Sequence, residues 1–277
     1  MLRVVYGSDQ GQTMSMSTGL MSSLNSINLS QYLSMQSMSS GKKLNTAADN
    51  TAGMAQSVSY TIQLSSTAQA MSNAQDASSM LNTAQGGVTQ VGKDLQNINT
   101  LSVQAGDGAL NASDKQAIQS QINQSVQDIG QTSNSTQFNG KTLLNGTQGL
   151  SAQNGPNVGN TQSVPSANLS ASALGVSGVN VTTPSGQVSA LSSVSSAIDQ
   201  LSASGASLGA AQTGLNVSQS AQGAAYNNLS AANGALGDTN YASSASSLSR
   251  SNIRQQATMY ALNMYNDTQK SILTLFP

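Results

Sequence analysis

Residues 78–105, SSMLNTAQGGVTQVGKDLQNINTLSVQA, carry a seven-residue apolar repeat that narrows what this chain can fold into. Leu81, Val88, Leu95 and Ser102 recur at every seventh position, and Ala84, Val91, Ile98 and Ala105 follow each by three, which is the a/d spacing of a coiled coil. A two-stranded coil ordinarily sets Glu and Lys beside that seam to choose its partner. Here the flanks hold Gln85, Gly87, Gly92, Asp94, Asn99 and Leu101. Flanking charges specify one neighbour and obstruct others, so a helix without them can meet partners on several sides.

The seam runs back through Ala77, Ala74 and Ala70 to about Ala55, predicting a helix on the order of 70 Å long at 1.5 Å per residue. GDG at 106–108 ends it. A mirror seam follows later in the chain. Leu191, Val194, Ile198, Leu201, Leu208, Leu215, Tyr226 and Leu229 hold its a/d positions, with Gly205, Gln212, Gln219 and Gln222 as weak members. Between the two seams, Ser113 and Gln116 suggest a capping box opening a helix with Ile118, Ile122, Val126 and Ile129 on one face, closed by Gly130. In TQFNGKTLLNG, Asn139-Gly140 and Asn145-Gly146 are hairpin turn signals. GVNVTT at 178–183 suggests another short strand, and the Ser, Asn, Gly and Pro-rich stretch 149–175 reads as a surface loop.

Amphipathic segments flank both seams. Leu20, Leu24 and Ile27 form one stripe near the start; Leu248, Ile253, Ala257, Tyr260 and Met264 mark the other end. Eight of the 11 methionines lie in these terminal segments, and Met suits surfaces that become packed only on association. SSGKKLNTAADNTAG (39–53) and GDTN (237–240) interrupt the periodicity. The expected fold is therefore mainly α. A long antiparallel coiled-coil-like helical hairpin carries a small β-hairpin region and a short insert, with both termini projecting from one end.

Composition agrees and removes most chemistry. Aromatic residues are 3% of the 277 residues and there is no Trp, so a thick globular core would lack its usual fillers, whereas thin helix seams are easily filled. Charged residues are 7% against roughly 25% in typical soluble proteins, and the net charge is −1. That balance gives no strong attraction to nucleic acid or anionic membranes and little repulsion between copies. No run approaches the ~20 apolar residues of a membrane span. The opening MLRVVYGSDQGQ is unlike a Sec signal peptide.

With no His, Cys or Glu, the chain lacks the usual general bases, thiolate and imidazole metal ligands and a Ser-His-Asp triad, so no enzyme activity, metal or cofactor is expected. GVTQVGK (87–93) mimics a phosphate-binding loop, but Asp94 stands where Ser or Thr must hold magnesium, and no strand precedes it. Asp107, Asn111 and Asp114 lack the spacing and terminal Glu of a calcium loop.

Several ordered motifs resemble bacterial flagellin, the repeating subunit of the flagellar filament. MSSGKKLNTAADNTAGMA (38–55), NAQD (73–76), LQNINTLSVQA (95–105) and TQFNGKTLL (136–144) match its N-terminal half. LGVSGVNVTT, SLGAAQTGLN, NNLSAANGALGDTNYA and SILTLF are similar to its C-terminal half. The resemblance implies inner terminal helices over 1–44 and 241–277 forming a filament core. It further implies a tube of long helices over 45–148 and 176–240, and a solvent-facing insert over 149–175. It also implies an extracellular, self-polymerising subunit, with a flagellar type III export apparatus, an export chaperone, and hook-associated and cap proteins as partners. A hook-filament junction protein of the same family, or a secreted binding module presenting the 149–175 loop, are the alternatives. The first dozen residues depart from the family start. Asn97, Asn99 and Thr100 stand where the family commonly has Arg and Glu, which puts recognition by an innate immune receptor in doubt.

Overall fold

In a computed structural model of the chain, residues 2–146 and 149–274 are described, with side chains described over 15–271 except 147, 148 and 150. Met1, Met14 and most side chains of the closing SILTLF lie outside that set. The described residues are dominated by helix. α1 is Leu2–Ser40, α2 is Thr51–Gln104, α3 is Ala112–Ser135, α4 is Pro184–Gly237 and α5 is Tyr241–Thr274. Two antiparallel hairpins lie between α3 and α4: β1 (Gln137–Phe138) with β2 (Lys141–Thr142), and β3 (Leu150–Gln153) with β4 (Thr161–Val164). The chain forms two compact units, residues 1–62 with 229–277, and residues 63–228. The division falls within α2 and α4.

In unit 63–228, α2 buries Ala70, Ala74, Ala77, Leu81, Ala84, Val91, Leu95, Ile98 and Ala105, in steps of four and three with two gaps of seven filled by half-buried Val88 and buried Ser102. α4 lies antiparallel to it. Gln212 Nε2 donates to Ser78 Oγ at 2.8 Å, and Gln187 Nε2 donates to the Ser102 carbonyl at 3.2 Å, so position numbers rise along one helix as they fall along the other. Ile118, Ile122 and Ile129 of α3 complete the helical core.

α3 differs from expectation at both ends. Its cap is Asn111, not Ser113. The Asn111 side chain accepts the Asp114 N–H at 3.0 Å and the Asp114 carboxylate accepts the Asn111 N–H at 3.1 Å. Asp114 at the third helical position does the work that Gln116 does in the alternative register. At the far end the helix continues past Gly130 to Ser135. One interior glycine costs only about 1 kcal/mol, and burial of Ile129 and Ser133 outweighs that. Ser133 Oγ donates to the Leu144 carbonyl at 2.7 Å, tying the helix to the segment beyond the hairpin.

The β1–β2 turn is the one its Asn-Gly signal predicts. Asn139 has φ 47° and Gly140 φ 75°, both in the left-handed region that a two-residue primed turn requires. GVNVTT is not a strand. The Gln119 side chain on α3 accepts the Val181 N–H at 2.7 Å and donates to the Val179 carbonyl at 2.8 Å, occupying groups that a neighbouring strand would use. The stretch 149–175 contains the β3–β4 hairpin and sends Val164, Leu169 and Leu174 into the core. Its polar composition concealed them because the apolar residues are spaced singly among Ser, Asn and Gly.

In unit 1–62 with 229–277, α1 and α5 also run antiparallel, joined through the segments that interrupted the repeat. The Lys43 N–H donates to the Gly237 carbonyl at 2.7 Å and the Thr239 N–H to the Gly41 carbonyl at 3.0 Å. Asp49 accepts the N–H groups of Asn45 and Thr46 at 2.9 and 2.8 Å, and these bonds hold its carboxyl below the usual carboxylate range. Ser57 of α2 donates to the Asn233 amide oxygen of α4 at 2.8 Å.

Candidate self-assembly surface

The predicted seam residues separate by unit. Leu81, Ala84, Val91, Leu95 and Ile98 are buried within unit 63–228, and Val88 packs against them partly exposed. From α4, Val194, Leu208 and Leu215 are buried while Ile198 and Leu201 pack at the edge. Leu191 is half-buried, as is Leu229 in the other unit. The periodicity missed Ala190, Ala197 and Ala211, all buried beside the larger residues. Their signal was the spacing of alanine itself, which brings helices close without looking apolar enough to mark a core.

Close approach explains one of the helix glycines. A Cβ on Gly87 would collide with Leu144 Cδ1 and lie 2.7 Å from Thr136 Oγ1, so the residues around the β1–β2 hairpin pack directly on α2 backbone there. Its neighbour Gly86 has nothing within 4 Å.

The terminal helices invert the ordinary arrangement. On α1, the half-buried and buried positions Ser17, Leu20, Leu24, Ile27, Gln31, Ser34 and Met38 alternate by three and four, and Ile27 is buried at 2% exposure. On α5 the matching positions are Ser244, Leu248, Ser251, Gln255, Thr258, Leu262 and Tyr265. The α5 stripe is largely polar, whereas that of α1 mixes Leu20, Leu24, Ile27 and Met38 with Ser17, Gln31 and Ser34. Of the residues expected to make one amphipathic face, only Leu248 turns inward; Ile253, Ala257, Tyr260 and Met264 are exposed. α1 likewise exposes Met16, Met21, Leu29, Tyr32 and Met35, each more than half accessible. Single exposed apolar residues are ordinary, whereas rows of them along both helices of a pair mark a surface meant to be covered.

Chemistry is sparse elsewhere. Among the described residues there is no cluster of metal-ligating side chains, and no helix is long and apolar enough to cross a membrane. An open cleft of about 570 Å³ beside the β3–β4 turn is lined by Ser65, Ser66, Gln69, Asn73, Gln153 and Asn157 with no ionisable group. The Asp94 carboxyl is pushed up, chiefly by burial and further by Asp128; Gln90 Nε2 donates to one oxygen at 3.2 Å, and the other oxygen is buried without a partner. Lys93 and Asp94, where the phosphate-loop mimic ended, lie within α2. A helix interior has no free N–H groups to cradle a phosphate.

Two family models match the chain: the bacterial flagellin N-terminal helical region over residues 12–149 and the C-terminal helical region over 191–276. A curated flagellin from Serratia marcescens is 35% identical over 178 residues, covering 64% of this chain and 51% of its own length. A flagellin from Salmonella dublin is 34% identical over 172 residues, covering 62% of this chain and 34% of its own length. The chain thus spans about half or less of the curated relatives it matches. Among solved structures, a protein from Vibrio parahaemolyticus assigned as flagellar hook-associated aligns with a TM-score of 0.59 at 14% identity, covering 68% of this chain and 99% of that one, a likeness of fold alone.

Proposed function

Because this chain belongs to the bacterial flagellin family, we propose that it is a structural subunit that polymerises with copies of itself into an extracellular flagellar filament used for swimming. The observation that carries the proposal is the apolar outer face of α1 and α5. Met16, Met21, Leu29, Tyr32, Ile253, Met259, Tyr260 and Met264 stand exposed in the single chain. Burial of such a face against sister copies contributes roughly 25 cal/mol for each Å² removed from water. A net charge of −1 offers little repulsion against close packing of many copies.

The subunit works by shape and adhesion rather than by reaction. The absence of His, Cys and Glu supports a non-enzymatic role, and delivery would fall to a flagellar export apparatus with its chaperone, with hook-associated and cap proteins as further partners. The seam residues from Leu81 to Leu229 hold the subunit together, and the outer faces of α1 and α5 join subunits. Removing residues 1–44 and 241–277 tests the division of labour. The expected product is a soluble, partly helical monomer that electron microscopy shows forming no filaments when salted out or seeded. Normal filaments from it would refute the proposal.

A further inference from the structure

α5 carries two rival stripes for its partner α1, and a set of side-chain amides decides between them. The apolar stripe of Ile253, Tyr260 and Met264 is the stronger hydrophobic candidate, yet it faces outward. The face turned to α1 instead centres on Gln255, which lies about 200° around the helix from Ala257 at 100° per residue. There Gln31 Nε2 donates to Asn252 Oδ1 and to Gln255 Oε1, both at 3.0 Å, and Gln255 Nε2 donates to Asn28 Oδ1 at 2.9 Å.

We propose that these four amides, Asn28, Gln31, Asn252 and Gln255, form a face-selecting clasp that holds the polar side of α5 against α1 and keeps its apolar stripe free for another chain. Turning the apolar stripe inward would break all three bonds, returning the exposed Asn28 and Asn252 to water but pressing the half-buried Gln31 against Ile253 or Ala257, where the loss of its partners penalises that rotation. Amides suit the task better than charges here: they choose one face by hydrogen-bond geometry and act over no longer range. A single polar residue in an apolar seam specifies coiled-coil pairing by the same logic. The proposal rests on the assembly reading only for what the free stripe is used for.

The test needs no filament. The chain has no cysteine, so engineered pairs report without background. The register of the amide bonds sets Leu24 opposite Leu262 in the clasped pair, and opposite Tyr260 if α5 turns over. In oxidised full-length monomer, Leu24→Cys with Leu262→Cys is expected to cross-link in preference to Leu24→Cys with Tyr260→Cys. Adding Gln31→Ala and Gln255→Ala should shift that preference by roughly tenfold toward the second pair. A Gln31→Asn and Gln255→Asn version, which keeps amides but shortens their reach, should shift it in the same direction; circular dichroism checks that helix content is retained in both. An unchanged ratio, or no Leu24–Leu262 cross-link in the clasped monomer, overturns the clasp. Filament formation by these variants is a separate readout: loss of polymer with an unchanged cross-link ratio would count against the clasp and leave the assembly reading standing.

Discussion

Between α2 and α4 in unit 63–228 lie Leu81, Val91, Leu95, Val194, Leu208 and Leu215, and the outer faces are amides and hydroxyls. Between α1 and α5 in the other unit, Gln31, Ser34, Ser251, Gln255 and Thr258 alternate with Leu20, Leu24, Ile27, Leu248 and Leu262, and the outer faces still carry Met, Leu, Ile and Tyr. Both pairs keep the alternation of three and four. They differ in where the apolar side chains go, and so in whether burial is complete within one chain. Ile27 and Leu44 are the large apolar side chains buried in the terminal unit among the described residues, whereas the central unit leaves only Val103, Val158, Val188 and Val217 among its large ones exposed. One unit buries its large apolar side chains as a monomer; the other leaves most of them exposed, for the proposed association to cover.

The largest expected effect that could break this contrast comes from trimming one side chain in each unit. Leu95→Ala and Ile122→Ala remove fully buried groups and should each lower stability by about 2–5 kcal/mol in urea denaturation. Ile253→Ala, at 66% exposure, should change monomer stability by less than about 0.5 kcal/mol while slowing seeded filament growth. A loss of monomer stability at Ile253 as large as at Leu95 would erase the distinction.

A smaller effect sharpens it within one turn of α2. Gly87→Ala must displace Leu144 or Thr136 and should cost about 1–3 kcal/mol, whereas Gly86→Ala meets open space and should stabilise by about 1 kcal/mol through helix propensity. If both substitutions stabilise, the segment after the hairpin is not packed on α2 as described. Thermal unfolding of the two variants side by side decides it.

The smallest effect is in pH, and its sign differs between the units. Burial raises Asp94, so its folded carboxyl takes up a proton more readily than in the unfolded chain. The central unit should therefore gain stability as pH falls from neutral through that raised value, and Asp94→Asn should abolish the gain. Backbone hydrogen bonds lower Asp49, so its contribution is present above the ordinary carboxylate value and is lost as pH falls through the lowered one. Amide exchange of residues 41–50 against that of α2, followed over an acid titration, should show the turn loosening while the helix tightens. Parallel behaviour of the two would contradict both assignments.

Much of the fold was legible because seven-residue periodicity survives any composition. The two long helices, the α3 face and the Asn139-Gly140 turn follow from spacing and from the left-handed backbone that only a few residues tolerate. What escaped the sequence shares a cause. The Asn111 cap competed with Ser113, and both satisfy the local rule. Val164, Leu169 and Leu174 sat singly in polar sequence, and the strand expected at Val179–Val181 was pre-empted by one glutamine 60 residues away. The assembly face was half legible: Ile253, Ala257, Tyr260 and Met264 were visible as a stripe, but not that it points away from the intrachain partner.

From the residues alone it follows that this chain is helical, seamed every seven residues, nearly uncharged, without His, Cys or Glu, and similar to flagellin in ordered motifs of both halves. Periodicity, propensity and missing residue types are local or compositional, and no folding can alter them. The tertiary structure decided which stripe of each helix faces inward, how Gly87 meets the segment beyond the hairpin and which polar groups find partners. Those outcomes depend on hydrogen bonds and contacts between residues up to 227 positions apart, and such pairings exist only once the chain has closed on itself.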